Sequence, residues 1–184
     1  MKKTIILALV AFLTFATSFK AQAIEKPYPT GTIIAGAHVG FLPGIGANLT
    51  GDYVLVDSWW MGHFTAGAYA GFNWIPYRDL TSEVRFGFTN WSLMPRATYG
   101  LNILDELEVH VGAMAGINIQ HWPNQYFTNL NYVQFCHGEF VGARYMFTDN
   151  LGVEAEIGYS SNIGSRGYDP YGMCTFNVGV TYQF

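Results

Sequence analysis

Histidine, serine and cysteine are the residues of this chain that could serve as bases, nucleophiles or metal ligands. No two of the five histidines have the spacing of a metal-binding pair, and no G-x-S-x-G, H-E-x-x-H or phosphate-loop motif is present. The histidines are His38, His63, His110, His121 and His137. The sequence therefore predicts no catalytic residue, no metal site and no cofactor, and the histidines are interpreted as polar interior or interface residues.

A second candidate set is ionisable, and all its members fall on one parity of segments that alternate apolar and polar residues. The set consists of Arg96, Arg144, Glu108, Glu154 and Glu156, with Asp52 and His110 beside them. Side chains alternate between two faces with a period of two in a β-strand, so one face of each segment is apolar and the other carries the charges.

Eight segments show this alternation. They are 31–42, 46–57, 63–75, 90–103, 107–121, 132–147, 151–161 and 173–184. In the fifth, the residues from Leu107 to Ile119 with odd numbers are apolar, and those from Glu108 to Gln120 with even numbers are polar, small or Met. The pattern predicts eight strands with an apolar outer face and a polar inner face.

Two positions depart from the simple pattern. Pro95 removes a ladder donor and suggests a bulge. Glu139 falls on the outer parity, so it must lie near lipid headgroups or beyond a bulge. Cys136 points inward and Cys174 outward on strands that are not neighbours, which argues against a disulfide between them.

The connections alternate in length. Turns at 58–62, 104–106 and 148–150 are short, whereas 76–89, 122–131 and 162–172 are longer; the first outer loop, 42–45, is an exception. The turn at 148–150 is expected to set Arg144 opposite Glu154 or Glu156. Two aromatic belts are predicted, a lower one (Phe64, Tyr145, Phe147, Tyr182, Phe184) and an upper one (Phe41, Phe72, Trp74, Trp91, Tyr159). From Phe64 to Trp74, ten residues of tilted strand span roughly 25 Å, the height of an outer-membrane apolar band.

Composition supports a membrane barrel of one domain. Charged residues make up 12% of the chain, and no stretch after residue 23 has 18 consecutive apolar residues. A membrane protein without spanning helices must be a closed barrel, because only closure satisfies every backbone group in lipid. Soluble barrels and sandwiches bury apolar residues inside, whereas here the charges take the inner face. We therefore predict an all-β fold, an eight-stranded antiparallel up-and-down transmembrane β-barrel.

Residues 1–23 have the features of a cleaved signal peptide. Lys2 and Lys3 precede an apolar core that is too short to span a bilayer, and Ala21-Gln22-Ala23 is a small-x-small cleavage site, with Ala16-Thr17-Ser18 as a second candidate. Residues 24–184 then form the barrel domain. Without Lys2, Lys3 and Lys20, six basic residues remain against 13 acidic ones, a net charge of −7 that argues against nucleic acid as a partner.

The final stretch, MCTFNVGVTYQF, carries a resemblance. Asn177, Gly179, Tyr182 and Phe184 stand in the order polar, x, Gly, two spacers, apolar, x, aromatic. This resembles the C-terminal assembly signal of bacterial outer-membrane barrels, and the chain as a whole resembles the small eight-stranded barrels of the OmpX and OmpA transmembrane-domain type. The resemblance implies the cell outer membrane of a Gram-negative-type bacterium. The partners it implies are outer-membrane lipids, lipopolysaccharide and the barrel-assembly machinery, and the expected state is a monomer.

Function is less determined by the sequence than fold. Small barrels that act on lipid A include a palmitoyl-transferase family with an amphipathic helix before strand one, and a deacylase family with a His-x-Ser pair on a late strand. Here no such helix is expected, and no His stands two residues before Ser160 or Ser161. We therefore expect a non-enzymatic structural or surface-interaction role through the extracellular loops. The alternatives are a small-solute channel and a lipid A-modifying enzyme.

The inner charges have two interpretations. They form either an ion path or a plug of ion pairs, and the plug is favoured because an eight-stranded barrel has room for side chains and little more. Inward glycines such as Gly67, Gly71, Gly112 and Gly116 either make room for large inner side chains or leave a small cavity, and packing is favoured.

Overall fold

Eight strands form one closed antiparallel barrel in the computed structural model, which describes residues 28–41, 44–78, 85–122, 130–163 and 173–184. The strands are β1 (Ile33–Gly40), β2 (Ile45–Trp59), β3 (Gly62–Arg78), β4 (Arg85–Asn102), β5 (Leu107–Trp122), β6 (Leu130–Met146), β7 (Leu151–Ile163) and β8 (Met173–Gln183). Each strand pairs with the next, and β8 pairs with β1 from Ile34–Gln183 to Gly40–Asn177. The predicted fold class is confirmed. Within the described residues, no helix has the length and hydropathy needed to cross a membrane.

The two faces divide by polarity as the alternation predicts. Buried side chains inside the barrel include Asp52, Arg96, Glu108, Arg144 and Glu154, each at most 3% exposed. Large apolar residues cover the outside, for example Leu49 and Leu93, both 62% exposed. A water-soluble protein would bury the apolar side chains and expose the charged ones. This barrel has the opposite arrangement, as proteins surrounded by lipid do.

Three short turns lie at one end of the barrel, here called the turn end, and the opposite end is the loop end. Between β2 and β3 the turn is only Trp60–Met61, shorter than the 58–62 expected, with Trp60 at φ 67°. At the loop end, β3 ends at Arg78 and β4 begins at Arg85. The connection between them is therefore 79–84, shorter than the 76–89 expected. Residues 79–84, 123–129 and 164–172, and the predicted signal peptide, lie outside the described residues.

The prediction of a bulge at Pro95 was wrong. The β3–β4 register runs unbroken through Ala68–Pro95, and β4–β5 keeps one register on both sides of it. Pro95 is exposed on the outer face. The irregularities lie in β2 instead, between Val54 and Val56 and between Val56 and Trp59.

Candidate functional site in the lumen

Arg144 is the centre of a buried ion-pair cluster near the turn end. It lies on β6 directly opposite Glu154 of β7 and Glu108 of β5, because all three occupy inward positions of neighbouring strands. Its Nη1 donates to Glu108 Oε2 at 2.7 Å, and its Nη2 and Nε donate to the two oxygens of Glu154 at 3.1 and 3.3 Å. Guanidinium geometry suits this two-sided arrangement, since its donors form a rigid planar fork.

Arg96 forms a second cluster that crosses the lumen. From β4 it donates to Glu156 of β7 at 2.8 Å, and its Nε lies 3.2 Å from Asp52 of β2. The guanidinium carbon also lies 4.3 Å from the centre of the Phe140 ring, a cation–π contact. No two of these three strands are neighbours in the sheet, so only the closed barrel brings these groups together.

His110 connects the two clusters. Its Nδ1 lies 3.3 Å from Glu108, and its Nε2 lies 3.3 Å from both Glu154 and Glu156. The five residues predicted as a lumen ion-pair set (Arg96, Arg144, Glu108, Glu154 and Glu156) therefore meet in one network, to which Asp52 and His110 also belong.

Three further participants lie outside the ion-pair set predicted from the sequence. His38 lies 3.5 Å from Glu154, and His63 lies 3.6 Å from Glu108. Tyr28, which precedes β1, is 8% exposed and packs its ring edge-on against His63 with centroids 4.9 Å apart. The inward parity of the two histidines was a usable signal, whereas Tyr28 lies outside any alternating segment.

The acidic side chains of this network lie beside basic side chains rather than beside solvent. Four carboxylates face two guanidiniums and three imidazoles (Asp52, Glu108, Glu154, Glu156; Arg96, Arg144; His38, His63, His110), and all nine side chains are buried. Ligand atoms of His110, Glu154 and Glu156 lie within 4.8 Å of one another, close enough to hold a cation. The guanidiniums of Arg96 and Arg144 already contact those carboxylates, so a hard cation there would be repelled.

Inner glycines provide the space for the large inward side chains. A methyl group at Gly112 would collide with the Phe140 ring, and one at Gly142 would collide with the His110 imidazole. Towards the loop end a cavity of about 30 Å³ remains, room for about two waters. Its lining includes Asn73, Asn90, Asn118 and Asn177 together with three sulfur-bearing side chains, Met94, Met114 and Cys136. Both interpretations of the inward glycines therefore apply. Large side chains fill the space beside some of them, and a small cavity remains closer to the loop end.

The outward carboxylate Glu139 has a definite position and partner. The registers of β6 with β5 and β7 contain no shift, so there is no bulge, and Glu139 lies opposite Ala113 on one side and Tyr159 of the upper belt on the other. Its Oε1 lies 3.1 Å from His137 Nδ1, with side chains 61% and 37% exposed. Ser161 is directly opposite His137 in the ladder. Ionisable groups on a lipid face are costly, so this pair marks a place where the outer surface departs from simple lipid contact.

The residues of the predicted assembly signal lie along the closing strand. Asn177 is buried and accepts a hydrogen bond from Asn48 at 3.0 Å, while the backbone at Gly179 closely approaches Ala37 of β1. Tyr182 and Phe184 are exposed outside with ring centroids 4.7 Å apart. Phe184 N–H donates to the Ile33 carbonyl at 2.9 Å, which extends the seam between the first and last strands.

The two cysteines lie on opposite faces of the barrel wall, as the parity predicts. Cys136 is buried inside and Cys174 is exposed outside, and both are free thiols.

Comparison with solved structures identifies the same architecture in bacterial outer-membrane proteins. A major outer membrane protein from Thermus thermophilus has a TM-score of 0.63 and 15% identity, over 83% of this chain and 99% of that chain. Neisserial surface protein A has a TM-score of 0.55 and 12% identity, over 83% of this chain and 93% of that chain. The N-terminal β-barrel domain of Pseudomonas aeruginosa OprF has a TM-score of 0.54 and 16% identity, over 87% of this chain and 100% of that chain.

These similarities establish the fold. The chain has the architecture of the small eight-stranded outer-membrane barrels, as its resemblance to the OmpX and OmpA type implied. The sequence matches no protein-family model and no curated protein.

Proposed function

We propose that this protein is an integral protein of the outer membrane of a Gram-negative-type bacterium, with a non-enzymatic structural or surface-interaction role. The observation that carries the proposal is the lumen network of nine buried ionisable side chains inside an apolar exterior. A filled lumen leaves the outer surface and the loop end as the parts of the molecule available to partners.

Three further features support the location. The exterior is apolar where the interior is charged, and the three solved structures described above come from bacterial outer-membrane proteins. In addition, Asn177, Gly179, Tyr182 and Phe184 resemble an assembly signal. Outer-membrane lipids, lipopolysaccharide and, during insertion, the barrel-assembly machinery are then its partners. The turn end would face the periplasm and the loop end the exterior, and the barrel would act as a monomer.

Planar-bilayer recording tests this proposal against the channel alternative. A lumen closed by the Arg144 and Arg96 clusters should give no steady single-channel conductance. A stable open channel whose ion selectivity changes in Arg144→Leu would replace the proposal with a small-solute channel, because the inner charges would then line an ion path.

The division between structural and surface roles can be tested in cells lacking the protein. Segments 123–129 and 164–172 would be replaced by short Gly-Ser connections, and the parent and shortened chains compared. A structural role predicts that both chains restore resistance of the envelope to detergents. A surface-interaction role predicts that only the parent restores adhesion of the cells to surfaces or host cells. Failure of the parent to change either property would contradict the proposal.

A second candidate function rests on His137, Glu139 and Ser161. A carboxylate in contact with Nδ1 orients an imidazole so that Nε2 is available as a base, and Ser161, directly opposite His137 in the ladder, offers a hydroxyl of the kind used in acyl transfer. At the level of Tyr159 these groups would meet the ester region of outer-leaflet lipids.

Mass spectrometry of lipid A distinguishes this candidate. If the protein is a lipid A-modifying enzyme, cells with the parent should show lipid A that differs by an acyl group, and Ser161→Ala and His137→Asn should abolish that difference. Ser160→Ala is the matched control, since it alters a neighbouring hydroxyl of the opposite parity. Identical lipid A with and without the protein would support the non-enzymatic proposal.

A further inference from the structure

Three sulfur-bearing side chains meet in the upper lumen, beside a cavity that Glu156 of the ionic network also borders. Cys136 Sγ lies 3.7 Å from Met94 Sδ, and the partly buried Met114 packs against the same cluster. Cys136 is 2% exposed and Met94 is 4% exposed. All three side chains border the 30 Å³ cavity, so the cluster has free space beside it.

A glycine allows the sulfurs to approach one another. Gly116 of β5 lies directly opposite Cys136 of β6, and a methyl group at Gly116 would come within 2.8 Å of the Met94 Cα of β4. The position between the two sulfur-bearing strands therefore carries no side chain. Met94 and Cys136 extend over that gap from either side, and Met114 joins from the same strand as the glycine.

The separation of the sulfurs matches a shared metal ion. Three sulfurs in a plane around one metal, each about 2.3 Å from it, lie roughly 4.0 Å apart. The observed 3.7 Å between Cys136 Sγ and Met94 Sδ is close to this value. An ion between them would therefore need little rearrangement of the strands.

The donor set is selective for a soft, singly charged ion. Thiolate and thioether sulfur favour Cu(I), whereas Mg²⁺ and Ca²⁺ require oxygen ligands. One Cu(I) bound to one thiolate and two neutral thioethers gives a site of zero net charge, which is the least costly state in a lumen shielded from water. A divalent ion in the same site would leave a net positive charge.

We propose that Met94, Met114 and Cys136 form a binding site for one Cu(I) ion in the upper lumen. On binding, the Cys136 S–H bond breaks, an S–Cu bond forms, and the proton leaves to solvent through the cavity. Copper stays in the +1 state throughout, so no oxidant or reductant takes part. The site is separate from the ionic network, in which Glu156 of the cavity lining is already bonded to Arg96.

The test is a Cu(I) competition titration of the folded full barrel in detergent micelles, under anaerobic conditions, against a chromophoric Cu(I) chelator. The parent should bind one Cu(I) per chain. Cys174→Ser is the matched control, because it removes the exposed outer thiol and should leave the affinity unchanged. Cys136→Ser, Met94→Leu and Met114→Leu should each weaken binding by more than the roughly 10–100-fold that loss of an outer-shell partner costs. Leu conserves the volume of Met, so the two Met variants test the ligand rather than the fold.

X-ray absorption of the copper-loaded parent supplies an independent readout. A first shell made only of sulfur, at about 2.3 Å, is expected. The proposal is overturned if the parent binds no Cu(I), if Cys136→Ser, Met94→Leu or Met114→Leu keeps the affinity of the parent, if Cys174→Ser abolishes binding, or if the first shell contains nitrogen or oxygen. In each of those cases the three sulfurs serve only as packing in the lumen.

Discussion

Arg144 and Glu154 lie directly opposite each other on β6 and β7, and the guanidinium donates to both carboxylate oxygens from inside the barrel. The same guanidinium also binds Glu108 at 2.7 Å. One cation thus compensates two carboxylates, each at most 2% exposed. Such a pair contributes little net stability over apolar residues of the same volume, but loss of one partner leaves a buried charge uncompensated.

Replacement of Arg144 by Leu should therefore destabilise the barrel. The expected loss is about 3–5 kcal/mol of unfolding free energy at neutral pH, because Glu108 and Glu154 remain buried without their cation. The loss should be smaller at acidic pH, where protonation removes the uncompensated charges. Urea unfolding of the parent and variant in lipid vesicles at two pH values measures both quantities.

A control variant separates charge from shape. Arg144→Leu combined with Glu108→Gln and Glu154→Gln keeps the volumes similar and removes the two carboxylates that Arg144 contacts. Part of the lost stability should then return, and its pH dependence should become smaller than that of Arg144→Leu alone. Equal destabilisation by Arg144→Leu at neutral and acidic pH would contradict the ionic account.

Arginine on the outer face of β5 should have a cost that depends on its cross-strand neighbour. Val111 faces Val141, so Val111→Arg should cost roughly 2–4 kcal/mol if it lies near the bilayer midplane. The alternating pattern alone predicts the same cost for Ala113→Arg, but Ala113 lies opposite Glu139, and an ion pair there should lower it. Urea unfolding in vesicles measures the two variants side by side.

Glu139→Gln provides the matched background for that comparison. Without the carboxylate, Ala113→Arg should become as costly as Val111→Arg. If Ala113→Arg costs the same with and without Glu139, the outward carboxylate does not interact across the ladder.

Tyr28 should contribute to closing the turn end of the lumen. Its buried ring packs with Ile34 and Val54 and stands 6.0 Å from the Arg144 guanidinium carbon. Tyr28→Ala would leave a void beside the ionic network and admit water, so we expect a loss of about 2–5 kcal/mol. Tyr28→Phe keeps the ring and should cost much less. Identical urea midpoints for the parent and Tyr28→Ala would show that this segment does not close the lumen.

Replacement of Phe184 should lower the membrane-inserted fraction in cells by more than the loss of a lipid-exposed aromatic side chain alone would. Phe184→Ser should lower the membrane-inserted fraction and increase periplasmic degradation, because the proposed assembly signal is altered. Phe147→Ser is the control, since both aromatics are on the outer face and highly exposed, at 71% and 61%. Pulse-chase fractionation compares the two, and equal insertion of both variants would remove the basis for an assembly role of Phe184.

Strand identity and facing could be predicted from the sequence because the side-chain period of a strand is local. The alternation from Leu107 to Gln120 needs no knowledge of neighbours, and an apolar outer face with charges inside leaves few architectures other than a membrane barrel. The turn at 148–150 limited the partner of Arg144 to Glu154 or Glu156 for a similar reason, since a short turn determines which residues lie opposite one another. The structure shows that the partner is Glu154.

Contacts across the lumen required the tertiary structure. Arg96 and Glu156 are 60 residues apart on strands that are not paired, and their 2.8 Å hydrogen bond exists only because the sheet closes on itself. The position of His110 among three carboxylates has the same origin, as does the burial of Tyr28, which belongs to no alternating segment. The sequence by itself thus determined which residues face inward, through the two-residue period of the strand. Only barrel closure, which sets the distance across the lumen, decided which residues of non-neighbouring strands meet.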